Sequence, residues 1–321
     1  MRAIQVSEHG GPEVLRYVEV ADPQAGPGQL LVETQGVGVN YIDIYFRTGQ
    51  YPQATPYLPG SEGTGVVVAI GSDVTEFSVG DRVAWASAPG SYAELVAVDE
   101  AVAVKVPDDV EPTVAAAALL QGMTAHYLTE SVFSPEPGDP VLVHAGAGGV
   151  GLLLTQMAVA KGARVITTVS TDAKEKLSRE AGATDVLRYG DDLAARVRDL
   201  TDGIGVAAVY DGVGASTFEA SLAALRIRGT LALFGAASGA VPPFDPQRLN
   251  PAGSLWLTRP SLGAYTRDRI EFLWRATDVF DWIATGTLNL RIGATYPLAE
   301  AAQAQRDLAA RKTTGSVVLL P

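Results

Sequence analysis

The stretch Val141-Leu142-Val143-His144-Ala145-Gly146-Ala147-Gly148-Gly149-Val150-Gly151 decides the fold. An apolar run leads into a glycine-rich turn, and a helix opens at Val150. Gly146, Gly148 and Gly151 follow the spacing G-x-G-x-x-G. Glycine lets the backbone turn tightly and approach a pyrophosphate, and the helix N-terminus offers N–H groups and the positive end of the helix dipole. Taken alone the spacing is a weak signal, and the plainer reading is a strand–helix turn that binds nothing. The pattern around it argues for the dinucleotide reading.

Downstream, strands and helices alternate. Val141–His144, Arg164–Val169, Val186–Arg188, Val206–Asp211 and Thr230–Phe234 read as strands. Helices are expected over Val150–Lys161, Asp172–Ala181, Asp191–Leu200 and Ser216–Leu225. Strands joined by crossover helices imply a Rossmann-type, doubly wound parallel sheet, and so an α/β fold. Upstream, short strands are expected at Arg2–Val6, Tyr17–Val20, Gln29–Val39, Gly63–Gly71, Asp81–Ala86 and Tyr92–Val98. They form a β-rich domain. Glu111-Pro112-Thr113 starts an Ala-rich helix through Leu120. After Gly263 the chain reads as helical to about Thr285. It ends on the strand Ile292–Tyr296, the helix Leu298–Arg311 and the strand Ser316–Leu320. The expected division is 1–121, 122–262 and 263–321, the last returning to the first.

The end of the second strand of the alternating region selects the cofactor. An NAD-binding unit usually places Asp or Glu there, about 20 residues after the glycine turn. Here the sequence is Ile166-Thr167-Thr168-Val169-Ser170-Thr171-Asp172-Ala173-Lys174. No carboxylate stands at the strand end. Ser170, Lys174 and Tyr189 suit a 2′-phosphate, so NADPH is the expected cofactor. Two alternatives stay open: Asp172 takes the acidic role if the turn is longer, and Lys174 is a solvated helix charge.

The 321 residues suffice for two cores, with 47% hydrophobic and 19% charged side chains. The net charge is -12, and no basic run gives the footprint of a nucleic-acid binder. There is no Cys, which excludes disulfides and thiolate zinc sites. His9, His126 and His144 have no metal-ligand spacing, and His144 reads as a buried, hydrogen-bonded residue. Neither a signal-type segment nor a membrane span is visible, so a cytoplasmic protein without a membrane partner is expected.

Further segments carry a resemblance. Asn40-Tyr41-Ile42-Asp43-Ile44-Tyr45-Phe46-Arg47-Thr48-Gly49, Pro59-Gly60-Ser61-Glu62-Gly63-Thr64-Gly65-Val66-Val67, Val79–Val83 and Gly90–Glu94 follow in order. Leu257–Leu262 and Thr314–Val318 complete the series. Together with the glycine turn, the chain resembles the zinc-independent medium-chain dehydrogenases/reductases, specifically the quinone oxidoreductases that include zeta-crystallin. One departure lies beyond Gln156, where Met157, Ala158 and Val159 precede the basic Lys161. The resemblance implies a GroES-like domain and a Rossmann domain, with nicotinamide and substrate in the cleft between them. The family's NADPH-binding positions fall on Tyr45, Ala147, Gly148, Gly149, Val150, Ser170, Lys174, Tyr189, Phe234, Gly235, Ala236, Ala237, Thr258, Arg259 and Pro260. Asn40 and Thr124 match positions near the nicotinamide. The apolar stretch Gly253–Thr258 would lie at the sheet edge, which implies a homodimer. A monomer with a covered edge is the alternative.

Without a metal to polarise it, the acceptor must be intrinsically electrophilic, as quinones and enones are. The protein then has to position the nicotinamide and stabilise the developing oxyanion. Asn40, Tyr45 and Arg47 are the candidates, and Tyr45 reads equally well as packing of the cleft wall. A 2-alkenal or enoyl-thioester reductase shares every cofactor motif; a non-enzymatic NADPH-binding protein of crystallin or RNA-binding type is a second alternative, its RNA-binding form opposed by the acidic charge, and a zinc enzyme built on His and carboxylates a third.

Overall fold

The computed structural model describes all of residues 1–321. The chain divides into two compact units, Met1–Met123 with Thr266–Pro321, and Thr124–Tyr265.

The first unit opens with the strands β1 (Arg2–Val6), β2 (Leu15–Glu19) and β3 (Gln29–Val39), then the helix α1 (Tyr41–Arg47). The strands β4 (Glu62–Ile70), β5 (Arg82–Ala86), β6 (Leu95–Asp99) and β7 (Ala103–Lys105) follow, then the helices α2 (Pro112–Ala115) and α3 (Leu119–Tyr127). The expected single helix from residue 112 is therefore broken at Ala116–Ala118. Tertiary packing overrides the alanine propensity there. This segment lies flush against notches in β3, where a Cβ on Gly36 would meet that of Ala116 at 2.9 Å. The helix α1 has no counterpart in the expected elements. Seven residues make only about two turns, too short for a repeating apolar pattern to stand out, although Asn40, with Asp43 three positions on, is a capping signal.

The second unit holds β8 (Pro140–Val143), α4 (Gly149–Ala160), β9 (Arg164–Val169), α5 (Asp172–Glu180), β10 (Asp185–Arg188) and α6 (Leu193–Asp199). It continues through β11 (Val206–Asp211), α7 (Phe218–Ala224), β12 (Leu225–Leu233), β13 (Trp256–Thr258) and α8 (Leu262–Tyr265). All its strands are parallel, in the order β10-β9-β8-β11-β12-β13. Counted within the unit this is 3-2-1-4-5-6, the doubly wound order whose reversal lies between β8 and β11. Leu142, Ile166, Val209 and Leu231 form its buried centre. Two strands differ from expectation. β12 starts five residues early, with a register shift near Arg228, whose φ is +58°. β13 starts late, because Gly253 and Ser254 are left-handed, at φ +120° and +53°.

The chain then returns to the first unit through α9 (Arg269–Ala284), β14 (Ile292–Pro297), α10 (Ala301–Ala309) and β15 (Ser316–Leu320). β15 pairs with β3, antiparallel, placing Val317 opposite Val39, and β14 adds to it in parallel. The first and last thirds of the chain thus share one seven-stranded sheet, over a core that includes Trp85, Val32 and Val98. No helix is long and apolar enough to cross a membrane.

Candidate functional site

In the second unit the candidate residues gather along one edge, because parallel strands all end on the same side. The glycine turn follows β8, Ser170 follows β9, and Tyr189 follows β10. Phe234–Ala237 follow β12, and Arg259-Pro260 follow β13, which ends at Thr258. Gly148 is the N-cap of α4, and no side chain caps that helix. Its first turn therefore keeps N–H groups aimed at whatever lies beyond the strand ends. Gly151 permits the close approach of helix and turn: a Cβ there would lie 2.2 Å from the Ala145 carbonyl oxygen. An uncapped helix start over a close-approaching glycine turn can hold a pyrophosphate.

Beside the glycine turn, Ser170 is exposed and Lys174 half-buried in the first turn of α5. Thr171 caps that helix, accepting from the Lys174 N–H. Asp172, the acid that would favour a ribose hydroxyl, accepts from Arg188 Nη2 at 2.7 Å. The same nitrogen donates to Glu175 at 2.7 Å. Arg188 thus pairs with both local acids, and no motif in the sequence points to it. Its pairing with Asp172, and with Glu175, raises its pKa. The Tyr189 hydroxyl accepts from the Ala145 N–H at 3.0 Å, which brings the end of β10 to the glycine turn.

Behind this edge lies a buried network. His144 is 1% exposed, with Nδ1 2.9 Å from Thr168 Oγ1 and Nε2 3.0 Å from Ser221 Oγ. Ser221 donates to Asp211 Oδ2 at 2.8 Å, and Asp211 also accepts from the Val213 and Gly214 N–H groups and from Thr217. Burial lowers the His144 pKa, outweighing the attraction of Asp211. His144 is thus a neutral bridge tying together the ends of β8, β9 and β11, as its position in the sequence suggests.

In the first unit, Asn40 is the N-cap of α1 and is 4% exposed. Its Nδ2 donates to Glu62 Oε2 at 2.7 Å, and its Oδ1 accepts from Gln121 Nε2 at 2.9 Å. Its backbone N–H donates to Asp43 Oδ2, which also accepts from the Tyr92 hydroxyl. Burial pushes the Glu62 carboxyl up to about 8 and that of Asp43 up to about 7, against the hydrogen bonds that favour their charged forms. Tyr45 is 7% exposed and packs between Tyr41 and Tyr51, with centroids 6.2 and 5.1 Å away. Arg47 differs from a donor displayed to a ligand. It is 3% exposed, and Nη1 is spent on Gln305 Oε1 at 2.8 Å. A buried cation needs polar partners: Nη1 finds one inside the unit, while the buried Nε has none.

Glu62, Gln121, Asp43 and Arg188 escaped the sequence reading as site candidates. The available signal for Glu62 was a charge set among glycines and valines in a buried strand. No group of three or more His, Asp or Glu side chains is placed to hold a metal ion.

Comparison with known proteins agrees with both halves of this geometry. The family described as alcohol dehydrogenase GroES-like domain matches residues 26–108, and that described as zinc-binding dehydrogenase matches 149–272. A quinone oxidoreductase of Pseudomonas aeruginosa is 44% identical, covering 100% of this chain and 99% of its own. A mycobacterial protein solved in complex with NADPH is 59% identical, with a TM-score of 0.98 and full coverage of both chains. The Escherichia coli quinone oxidoreductase, also solved with NADPH, is 38% identical, again with a TM-score of 0.98 and full coverage of both. With a glycine turn beneath an uncapped helix start in one unit, a Cys-free strand framework in the other and likeness along its whole length, the chain belongs to the quinone oxidoreductases of the medium-chain dehydrogenase/reductase superfamily.

Proposed function

We infer that the protein is an NADPH-dependent reductase that passes hydride, without zinc, to a quinone or a similar conjugated carbonyl acceptor. The observation that carries this reading is the uncapped α4 N-terminus over a glycine turn, next to a β9 end whose nearest acid is already paired with Arg188. The quinone oxidoreductases that the chain resembles from end to end support it.

In this reading Ala147–Val150 hold the pyrophosphate and Ser170, Lys174 and Tyr189 the 2′-phosphate. Phe234–Ala237, Thr258–Pro260 and Thr124 are the second unit's further candidate cofactor contacts, and Asn40 and Tyr45 are the first unit's candidate contacts of the nicotinamide and substrate. When bound, NADPH supplies the hydride. The reaction consumes one quinone, one NADPH and one proton, and yields hydroquinone and NADP⁺. A conjugated acceptor spreads the incoming electron pair onto its oxygen, so the chain has to orient the reactants and offer that oxygen a donor. Asn40 Nδ2 supplies the donor. Arg47 acts from the interior, holding α1 to Gln305. The catalytic domain comprises Met1–Met123 and Thr266–Pro321, and the nucleotide domain Thr124–Tyr265.

We read the protein as a cytoplasmic homodimer, the dimer from its edge strand. β13 is a sheet-edge strand, Trp256 on it is 68% exposed, and Ile227 near it is 74% exposed. An edge with apolar side chains pairs favourably with its own copy across a two-fold axis. NADPH oxidation against a panel of quinones, enals and enoyl thioesters, with and without chelator, tests the function. Turnover of quinones in chelator is expected, and activity on enoyl thioesters alone would overturn the reading.

A further inference from the structure

Four polar side chains in the first unit form a hydrogen-bond chain with a direction. Ser316 Oγ donates to Gln121 Oε1 at 2.7 Å, Gln121 Nε2 to Asn40 Oδ1 at 2.9 Å, and Asn40 Nδ2 to Glu62 Oε2 at 2.7 Å. The other Glu62 oxygen accepts from the Leu120 N–H at 2.7 Å. Every donor points toward Glu62. All four side chains are buried, with Glu62 and Ser316 at 0% and 2% exposure.

The fold makes room for this carboxyl. A Cβ at Gly38 would lie 2.3 Å from Glu62 Oε2 and 2.7 Å from the Ala116 carbonyl oxygen. Any larger residue at position 38 of β3 would displace Glu62 from Asn40. The notch, the broken helix that covers it and the Leu120 N–H together fix one carboxyl in one place.

An amide has a donor end and an acceptor end of nearly equal shape, and its neighbours decide which faces where. Both Glu62 oxygens act as acceptors here, one from the Leu120 N–H and one from Asn40, so Glu62 takes the Nδ2 end of Asn40. That leaves the second Nδ2 hydrogen as the uncommitted donor of Asn40. We propose that Glu62 is a positioning residue for Asn40: it sets the direction of the chain from Ser316 through Gln121 and so fixes which end of the Asn40 amide is offered to the ligand. The proposal rests on the assignment of Asn40 as a contact of the nicotinamide or substrate.

An isosteric Glu62→Gln change tests the direction itself. A glutamine keeps the Leu120 bond through its carbonyl and then presents an N–H to Asn40. Asn40 must flip, Gln121 must flip with it, and the Ser316 hydroxyl turns to accept. The shape of the site is preserved while its polarity reverses. The experiment uses the full chain with four variants: Asn40→Ala, Glu62→Gln, Gln121→Ala and Asn40→Ala/Glu62→Gln. It measures the NADPH dissociation constant by fluorescence titration, the quinone kcat and KM separately, and the melting temperature. Asn40→Ala is expected to lower kcat at least tenfold. Glu62→Gln is expected to lower kcat five- to tenfold with the quinone KM within twofold, and the double variant to be no slower than Asn40→Ala. The NADPH constants should combine in the same non-additive way. Gln121→Ala, which frees the other end of the amide, should repeat the kcat loss, and it carries the test if Glu62→Gln fails to fold. Kinetic losses that multiply in the double variant, or a Glu62→Gln effect confined to KM, would overturn the positioning role. An Asn40→Ala variant with wild-type kcat and NADPH affinity would instead overturn the assignment of Asn40, and the proposal with it.

Discussion

The hydroxyl of Tyr189 receives the backbone N–H of Ala145 across 3.0 Å. Ala145 carries a left-handed backbone, at φ +54°, which a non-glycine residue adopts only when its surroundings hold it there. Tyr189 lies one residue beyond β10, at the far end of the sheet from β13, so one phenol couples the outermost strand to the turn at the sheet's centre. Tyr189→Phe should leave the fold intact and weaken NADPH three- to tenfold in a fluorescence titration, on the scale of one neutral hydrogen bond, about 0.5–1.5 kcal/mol. Unchanged affinity would mean that the turn holds its shape without the phenol.

Lys174→Ala should weaken NADPH by about 1–3 kcal/mol, and NADH much less, if its ammonium meets the 2′-phosphate. Paired titrations with the two cofactors decide it. Equal losses would return Lys174 to the role of a solvated helix charge. Arg188→Ala should also favour NADH, because it releases Asp172 and Glu175 beside Ser170.

Gly151→Ala places a Cβ 2.2 Å from a backbone oxygen, a contact that no side-chain rotation relieves. The helix has to back away from the turn. NADPH affinity should fall more than tenfold and the melting temperature should drop, both measurable on one preparation. A variant that binds normally would show that α4 can shift without losing the pyrophosphate.

The buried carboxyls make stability depend on pH in a stated direction. Folding raises the Glu62 pKa from 4.5 to about 8 and that of Asp43 from 3.8 to about 7. The folded state therefore holds protons that the unfolded state has released. Their stabilising effect is complete below about pH 4 and is lost as the pH climbs toward 8, by on the order of several kcal/mol. Glu62→Gln removes its share, so the melting temperature of the variant minus that of the wild type should rise between pH 5 and pH 8. His144 acts in the opposite sense. Its lowered pKa makes stability fall as the pH drops below the ordinary histidine range. A flat difference curve for Glu62→Gln would mean that Glu62 is charged in the folded state throughout.

Trp256→Glu on the exposed edge strand should convert a homodimer to a 33.5 kDa monomer in sedimentation at micromolar concentration, with NADPH binding retained. A variant that stays dimeric would place the interface elsewhere.

Much of the fold was legible because alternation and glycine spacing are local. Arg2–Val6, Gln29–Val39, Arg164–Val169, Val206–Asp211 and Ser316–Leu320 form strands over the spans that their patterns predict. The failures are non-local. The break at Ala116–Ala118 is imposed by glycines some 80 residues earlier in β3, and no window around residue 116 contains them. The late start of β13 depends on left-handed backbone at Ser254, a residue with no strong preference for it. At the site, the glycine turn announced itself, whereas Glu62 did not. Its meaning comes from Gly38 and Asn40 in one segment and Leu120 and Gln121 in another, about 80 residues further on, converging on it. At Arg47 the charge in a recognisable motif suggests display to a ligand, and the fold buries it with Nη1 bonded to Gln305, a partner 258 residues away that no local window contains.

The pairing of β15 with β3 has a consequence for biosynthesis. The nucleotide-binding unit is one uninterrupted piece of chain, so it can fold as soon as Tyr265 has left the ribosome. The other unit cannot. Val39 must wait for Val317, roughly 280 residues later, before the centre of its sheet closes. At about 5–20 residues per second that interval lasts tens of seconds. Throughout it, the Val37–Val39 end of β3 lacks its partner, while β6 already covers Gln29–Glu33 on the same strand, so a short Gly–Val stretch stays open to whatever else the cell offers. Such a chain is a natural client for chaperones that shield strand edges during translation, and its yield on expression should depend on them more than that of the contiguous unit made alone.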